Sequence, residues 1–229
     1  MKRKEFVLWF DNISSEDISI VGGKCANLGE IMVKTNIPVP RGFAITAYAY
    51  QYFIEKNNAN IKIASLLKDL DELDIKNLEQ ISKKLRRYIE DLPVPEEIST
   101  SVIDSFKKLS KITGKIKLKV AVRSSATAED LPGSSFAGQQ DTYLNIDQNN
   151  LIKYVKKCWS SLFTPRAIVY RKEKGFSHSD VLISVAIQEL IDSKKSGVMF
   201  TIEPVSGNKD VIVINASWGL GESIVSGKV

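Results

Sequence analysis

Residues 120–146 constrain the fold of this chain more than any other stretch. They begin as a buried strand, rich in aliphatic and β-branched residues and bounded by charge. Arg123 then leads into a run of small hydroxyl residues and a Gly/Ser-rich loop at 133–138, and a second strand follows at 142–146. Small residues let backbone N–H groups approach an anion, and arginine offers forked donors that match phosphate oxygens. The stretch therefore predicts a phosphate-binding hairpin, with an ordinary surface loop as the alternative.

The position of Arg123 favours the phosphate-binding interpretation. An arginine that directly follows an apolar strand is expected at the carboxyl end of that strand, where ligands collect in α/β proteins. Two other motifs are excluded. Gly133 and Gly138 have the spacing of a P-loop, but Gln139 stands where that motif needs lysine. The sequence G-x-S-x-G is absent, so a hydrolase nucleophile is not indicated.

Composition excludes several functional classes. With 229 residues, of which 43% are hydrophobic and 26% charged, the chain has the composition of a soluble globular protein with a core. The net charge of +5 is spread without a basic stripe, so nucleic acid is not an expected partner. Cys25, Cys158 and His178 have no zinc-site spacing. Two isolated cysteines and the lack of a membrane-length apolar run predict a cytoplasmic protein without membrane contact.

A second glycine-rich turn precedes the first predicted helix. A strand at 6–10 leads through a polar connection to a Val-Gly-Gly-Lys turn that ends at Lys24, and a short helix is expected at 25–33. Glycines ahead of a helix can expose its first N–H groups to an anion, and Lys24 adds a point charge. The alternative is a simple turn with a solvated lysine.

The middle of the chain is predicted to be helical scaffold. After a short strand at 42–45, Thr46 is the expected N-cap of a helix at 47–56. Three amphipathic segments between 61 and 111 have charged outer faces and no convergent polar groups, so we place no catalytic residue there.

Three predicted strands, at 181–190, 197–202 and 211–215, dominate the last third of the chain. The first of them is apolar until it ends in Gln188, Glu189 and Leu190. The sequence stops at Val229 without a cap, a polar tail or a breaker, from which we expect a truncated chain or one part of a larger protein.

Six segments of this sequence resemble the N-terminal nucleotide-binding domain shared by phosphoenolpyruvate synthases, pyruvate phosphate dikinases and rifamycin phosphotransferases. The segments are VGGKCANLGE, VPRGFAIT, VAVRSSATAEDLPGSSFAGQQDTYLNI, SLFTPRAIVYR, GVMFTIEP and NASWGLGESIVSG. The resemblance extends from about residue 6 to the end. It implies an α+β fold of the ATP-grasp kind, in which two lobes clamp ATP. Residues 1–190 would form the first lobe, with a helical segment at about 46–112, and residues 191–229 would begin an incomplete second lobe.

The resemblance also implies roles for individual residues. Lys24 and Arg123 match the family's phosphate-binding lysine and arginine, and are the expected catalytic pair. Gln188, Glu189 and Leu190 correspond to the segment that recognises adenine. Buried polar groups need hydrogen-bond partners, and the edge of adenine would supply them to the polar pair that ends this apolar strand. Residues of the loop and strand that cover the nucleotide complete the expected cofactor-binding set: Gly133, Gly138 and Thr142.

Other parts of the family's machinery are expected outside this sequence. The Mg²⁺-binding carboxylates are expected beyond Val229, and Glu203 and Glu222 are not expected to replace them, because hard metals need several converging oxygens. A phosphohistidine domain and a pyruvate-binding domain are also expected elsewhere, and His178 is not the carrier histidine. Without metal ligands the fragment alone is expected to be inactive.

The resemblance leaves three functions open. The first is the ATP-binding part of a phosphoenolpyruvate synthase, which converts ATP, pyruvate and water into phosphoenolpyruvate, AMP and phosphate. The second is the same part of an antibiotic phosphotransferase of the rifamycin kind, in which only the acceptor differs. The third is a stand-alone nucleotide-binding or partner-binding module without catalysis.

Overall fold

The chain folds into two compact units, Met1–Leu190 and Ile191–Val229. The computed structural model describes residues 4–71, 74–127, 141–177 and 181–227. Each unit is described separately below. The mixture of helices with antiparallel sheets confirms the predicted α+β class.

The first unit is organised around a five-stranded sheet in which all neighbouring strands are antiparallel. The strands lie in the order β1-β2-β5-β3-β4, so β5 is central although it comes last in the sequence. Their bounds are Val7–Trp9 for β1, Gly42–Ile45 for β2, Val120–Ala126 for β3, Thr142–Ile146 for β4 and Ile183–Glu189 for β5.

Seven α-helices of the described residues connect these strands. Their bounds are Ile18–Lys34 for α1, Ala47–Lys56 for α2, Ala59–Lys68 for α3, Ile75–Asp91 for α4, Glu96–Thr113 for α5, Leu151–Ser160 for α6 and Pro165–Glu173 for α7. The predicted helix at 47–56 is confirmed together with its N-cap, since the Thr46 hydroxyl accepts a hydrogen bond from Ala49 N–H. In the described part of the chain, no helix combines the length and apolar character needed to cross a bilayer.

The two faces of the sheet are covered differently. Successive side chains of a strand point to opposite faces, so each strand contributes to both. The main hydrophobic core lies on one face, where Val122 and Ile187 join Trp159 of α6, which stacks on Phe53 of α2 with ring centroids 4.6 Å apart. On the other face a smaller core packs around α1 and includes Ala186.

Several strand boundaries differ from the sequence prediction by one to three residues, including β6 at Lys195–Phe200 and β7 at Val213–Trp218. Two other differences bear on the predicted site residues. The polar connection before the predicted helix is itself partly helical, and α1 already begins at Ile18. Gly22 interrupts α1 with φ +70° and ψ 162°, so the regular helix restarts just before Lys24. The predicted strand before Arg123 does not end there, because β3 continues to Ala126.

The second unit contains a two-stranded antiparallel sheet and one helical turn. The strands are β6, Lys195–Phe200, and β7, Val213–Trp218, and the turn is α8, Glu222–Val225. Within this unit Gly219 N–H donates to the carbonyl of Lys194 at 2.9 Å, and the Lys195 ammonium lies 4.8 Å from the centre of the Trp218 ring.

Candidate functional site

Arg123 lies in the middle of β3, not at its end. It pairs with Thr142 of β4 on one side and with Ala186 of β5 on the other. The prediction that Arg123 follows the strand is therefore wrong. The hydroxyl residues after Arg123 look like loop residues in the sequence, but Ser124 and its neighbours find partners within the sheet, so the strand continues. The guanidinium group is half-buried and has no hydrogen bond or ion pair to any described residue.

Lys24 approaches β3 from the restarted part of α1. Its ammonium group donates a hydrogen bond of 3.0 Å to the carbonyl of Ser124, the residue next to Arg123. Gly22 makes this approach possible, because its Cα lies against the backbone of Ser125 and leaves no room for a side chain. The structure thus brings the two predicted phosphate-binding cations to adjacent residues of one strand.

Arg123, Thr142 and Gln188 share the face of the sheet on which α1 packs. Residues opposite each other in an antiparallel ladder point to the same face, and so do alternate residues of one strand. Thr142 is opposite Arg123, and Ala186, two residues before Gln188, is opposite Arg123 on the other side. The contact of α1 with Ser184 identifies this face as the α1 side.

The predicted adenine-reading segment lies farther along the same strand. Val185 pairs with Ser124, and Glu189 is four residues beyond Val185, which places it about 13 Å along β5. Gln188 is 7% exposed, and its side-chain amide donates to the carbonyl of Pro40 at 3.2 Å. The polar segment therefore begins two residues beyond Ala186, the β5 residue that pairs with Arg123.

The backbone N–H groups of Glu189 and Leu190 and the Glu189 carboxylate already have partners within the first unit. Glu189 N–H donates to the carbonyl of Arg41 at 2.8 Å, and Leu190 N–H donates to the carbonyl of Lys119 at 2.9 Å. The Glu189 carboxylate forms an ion pair of 2.7 Å with Lys115 and lies on the opposite face from Gln188. The Glu189 side chain therefore does not join Arg123 and Lys24.

Lys24 and Arg123 both lie close enough to the buried Cys25 thiol to affect its pKa. Burial raises the pKa of its thiol to about 11, hydrogen bonds with Ser184 and Ser125 oppose that rise, and the charges of Lys24 and Arg123 also lower it. Burial is the larger effect, so the thiol stays protonated at neutral pH. Cys25 is consequently a packing residue next to the cations and not a nucleophile.

The buried Cys25 thiol should make stability fall at alkaline pH. Its pKa is 9.0 in a solvated chain and about 11 in the folded protein, so the folded state holds the proton more tightly and the associated stability disappears above pH 9. We expect Cys25→Ala to lose about 2 kcal/mol less unfolding free energy than the unsubstituted chain between pH 8 and pH 10.5. Guanidinium titrations at both pH values measure this. Equal losses in the two proteins would contradict it.

Gly133 and Gly138 of the predicted nucleotide-covering loop lie outside the described residues, as does His178. Among the described residues, no group of three His, Cys, Asp or Glu side chains is placed to hold a metal ion. Glu203 is engaged locally, since its carboxylate accepts hydrogen bonds from the N–H groups of Val205 and Ser206. A hydrogen bond with the Ser206 side chain, followed by those two backbone bonds, lowers the pKa of Glu203.

A cavity of about 720 Å³ lies apart from the cations, between α2, α3 and the start of β5. Its wall is mainly apolar and includes Tyr50, Ile63 and Leu182. None of the predicted site residues that the structure describes lines it. An apolar wall is a poor environment for phosphates, because it cannot replace their hydration.

Sequence reasoning missed a polar group next to the site. Asp141, one residue before β4, accepts hydrogen bonds from Arg86 of α4 and from Tyr143 of β4, and its backbone carbonyl accepts from Ser124. Arg86 was assigned to the scaffold because its helix has the pattern of an ordinary amphipathic segment. No periodicity in α4 distinguishes an arginine that reaches the sheet from one that faces solvent.

Comparison with known proteins gives one family and many relatives. Residues 18–229 match the family described as pyruvate phosphate dikinase, AMP/ATP-binding domain. The whole chain is 52% identical to a protein of Staphylothermus marinus named probable phosphoenolpyruvate synthase, of which it covers 28%. Over 98% of the chain, identity is 50% to a protein of the same name from Methanocaldococcus jannaschii, 19% of which is covered, and 43% to the phosphoenolpyruvate synthase of Pyrococcus furiosus, 31% of which is covered. The chain thus spans less than a third of each of these relatives.

Proposed function

Because this chain belongs to the pyruvate phosphate dikinase AMP/ATP-binding domain family, we propose that it is the ATP-binding part of a phosphoenolpyruvate synthase. The observation that carries this proposal is the identity of 52% over the whole chain to a protein of that name. In the complete protein, ATP and water would phosphorylate a histidine on another domain, and AMP and inorganic phosphate would be released. The phosphoryl group would then pass to pyruvate at a third domain and form phosphoenolpyruvate.

Lys24 and Arg123 are proposed to hold the phosphates of ATP. The arginine fork binds phosphate oxygens through two parallel hydrogen bonds, and the lysine acts as a point charge beside it. Both groups would stabilise the negative charge that redistributes over the phosphates during transfer. The hydrogen bond from Lys24 to the Ser124 carbonyl supports a shared task, because it holds Lys24 beside the residue that follows Arg123. Thr142, opposite Arg123, would contact the same phosphates from β4.

Gln188, Glu189 and Leu190 are proposed to recognise adenine mainly through acceptor groups. The N–H groups of Glu189 and Leu190 already donate to Arg41 and Lys119, so they are not available to an adenine ring nitrogen. The exocyclic amino group of adenine is a donor and would suit the acceptors of this segment. Glu189 is three residues, about 10 Å, beyond Ala186, the β5 partner of Arg123, and this separation supports the assignment, since adenine and the terminal phosphates lie at opposite ends of ATP.

The remaining parts of the reaction are proposed to come from elsewhere in the complete protein. We propose that the Mg²⁺ ligands, the carrier histidine and the pyruvate site lie in the rest of the complete protein, since the chain covers less than a third of these relatives. When bound, Mg²⁺ would neutralise phosphate charge. We propose that the two units, Met1–Leu190 and Ile191–Val229, belong to the two lobes of the ATP clamp, and that the protein acts in the cytoplasm.

The acceptor is tested by supplying pyruvate or an antibiotic to the full-length protein. The names of the relatives favour pyruvate over a rifamycin-type acceptor. We expect AMP, phosphate and phosphoenolpyruvate to form in equal amounts from ATP when pyruvate is present. AMP formation that requires rifampicin and ignores pyruvate would establish the antibiotic phosphotransferase instead. ATP binding without any AMP formation under either condition would favour the non-catalytic module.

A further inference from the structure

Ser124 links Lys24 to Asp141. Its N–H and its hydroxyl both donate to the backbone carbonyl of Asp141, at 3.1 and 3.2 Å. Its own carbonyl accepts the hydrogen bond of 3.0 Å from the Lys24 ammonium group. Ser124 is fully buried and adjoins Arg123 in the chain, so a displacement of Asp141 would be transmitted to both cations.

The side chain of Asp141 is held on the face of the sheet that carries the main hydrophobic core. One carboxylate oxygen accepts a hydrogen bond of 3.1 Å from the Arg86 guanidinium and one of 2.7 Å from the Tyr143 hydroxyl. Tyr143 packs against Tyr154 of α6, with ring centroids 4.9 Å apart. Hydrogen bonds to an ionised carboxylate are among the stronger ones in proteins. Two donors anchored by different elements therefore define the position of Asp141.

The pairing of β3 with β4 has an irregularity close to the hydrogen bonds of Asp141. Val122 pairs with Tyr143, but Val120 pairs with Ile146, so β4 contains one extra residue between these two pairs. Asn145, within the extra stretch, has φ +63°. A bulged ladder has a competing register without the bulge, in which every later side chain changes face. In that register Tyr143 would replace Thr142 opposite Arg123.

We propose that Asp141, held by Arg86 and Tyr143, is a positioning residue that fixes the phosphate-binding pair Lys24 and Arg123 through Ser124. The inference rests on the proposed function, because it concerns the same phosphate site. Asp141 keeps Thr142 opposite Arg123 and keeps the Ser124 carbonyl within reach of Lys24. It does not itself touch ATP, since its carboxylate is directed to the face of the main hydrophobic core, opposite to the face of Arg123.

The test compares Asp141→Asn with Asp147→Asn in the full-length protein. Both aspartates form an ion pair at an end of β4, Asp141 with Arg86 at 3.1 Å and Asp147 with Lys119 at 3.0 Å, and their side chains are 30% and 38% exposed. We expect Asp141→Asn to raise the dissociation constant for ATP about tenfold and to lower kcat/KM for ATP by a similar factor. Asp147→Asn should change neither. The pyruvate KM should stay constant in both.

Further variants separate positioning from general damage to the fold. Tyr143→Phe removes one hydroxyl and should weaken ATP binding in the same direction by a smaller factor. Arg86→Lys should retain more ATP affinity than Arg86→Met, because lysine keeps a charged donor. Because Asp141 acts through Lys24 as well as Arg123, the double variant of Lys24→Ala and Asp141→Asn should lose less ATP-binding free energy than the sum of the two single variants.

The outcomes distinguish this inference from the function on which it rests. Unchanged ATP affinity in Lys24→Ala would remove the phosphate site and the positioning role together. Weakened affinity in Lys24→Ala, with unchanged affinity in both Asp141→Asn and Tyr143→Phe, would overturn the positioning role and leave the phosphate site intact. Fully additive losses in the double variant would also overturn it, because independent sites add.

Discussion

Replacing Arg123 with alanine is expected to lower kcat/KM for ATP about a hundredfold in the full-length protein. Arg123 lies between β4 and β5 in the middle of the sheet, so its backbone is fixed on both sides. Its half-buried guanidinium has no hydrogen bond or ion pair to another described residue. A cation without a competing partner among these residues can turn to the phosphate oxygens, and its loss removes stabilisation at the point where charge develops.

Arg123→Lys and Lys24→Ala define the contributions of shape and charge. Arg123→Lys keeps the charge but loses the fork, so we expect it to recover only part of the activity. Lys24→Ala should weaken ATP binding about tenfold or more, because it removes a charged phosphate ligand. Calorimetric titration with ATP and a coupled assay of AMP formation provide the two measurements.

Arg87→Ala is the matched control for these variants. Arg87 belongs to the scaffold helix α4, and its side chain is 84% exposed beside Asp91. Exposed pairs of this kind contribute little, so ATP affinity and AMP formation should be unchanged. Wild-type kinetics in both Arg123→Ala and Lys24→Ala would refute their assignment to the phosphates.

Much of the secondary structure could be predicted because local signals agree with the fold. The helix after Thr46 combines an N-cap hydroxyl with apolar positions on one face, and both are found in the structure. The helix after Thr164 likewise begins with a threonine cap and Pro165. These signals depend on residues within one turn of each other. Sequence patterns record such short-range effects well.

The location of Arg123 could not be predicted, because it depends on partners far away in the sequence. The polar run after Arg123 has the composition of a loop, and only its pairing with residues 183–186 makes it a strand. Strand preference is set mainly by neighbours in the sheet, which a single sequence does not reveal. The assumption of parallel strands, with ligands at their carboxyl ends, also fails for this antiparallel sheet.

The polar anchor of the site was hidden for a different reason. Arg86 and Asp141 are 55 residues apart in the chain, and each has an ordinary local context. Their contact exists only because α4 packs beside the start of β4. The family resemblance indicates Lys24 and Arg123 as candidates. The contact between Lys24 and Ser124 joins residues 100 positions apart, so it follows only from the tertiary structure.

Gly22→Ala should be among the most destabilising single substitutions in this chain, at about 3 kcal/mol or more. Gly22 has φ +70° and ψ 162°, a combination that is essentially restricted to glycine. A Cβ added there would lie 2.4 Å from the Ser125 hydroxyl oxygen and 2.6 Å from the Ser125 carbonyl oxygen. Ser125 belongs to the central part of the sheet, so α1 would have to move away from β3.

Gly114→Ala separates the two causes of that loss. Gly114 also has a positive φ, +67°, but it ends α5 in an open position where an added Cβ meets no atom within 4 Å. Its substitution should cost about 1 kcal/mol, from backbone strain alone. Guanidinium unfolding, followed by the fluorescence of the buried Trp159, measures both variants. Equal losses would mean that the close approach of α1 to β3 contributes nothing.

The same pair of variants connects the stability of the fold to the site. Lys24 is two residues after Gly22, and its contact with the Ser124 carbonyl depends on the position of α1. At a temperature where both proteins are folded, Gly22→Ala should therefore also weaken ATP binding, whereas Gly114→Ala should leave it unchanged. A stability loss without any change in ATP affinity would show that Lys24 reaches its position independently of the interruption in α1.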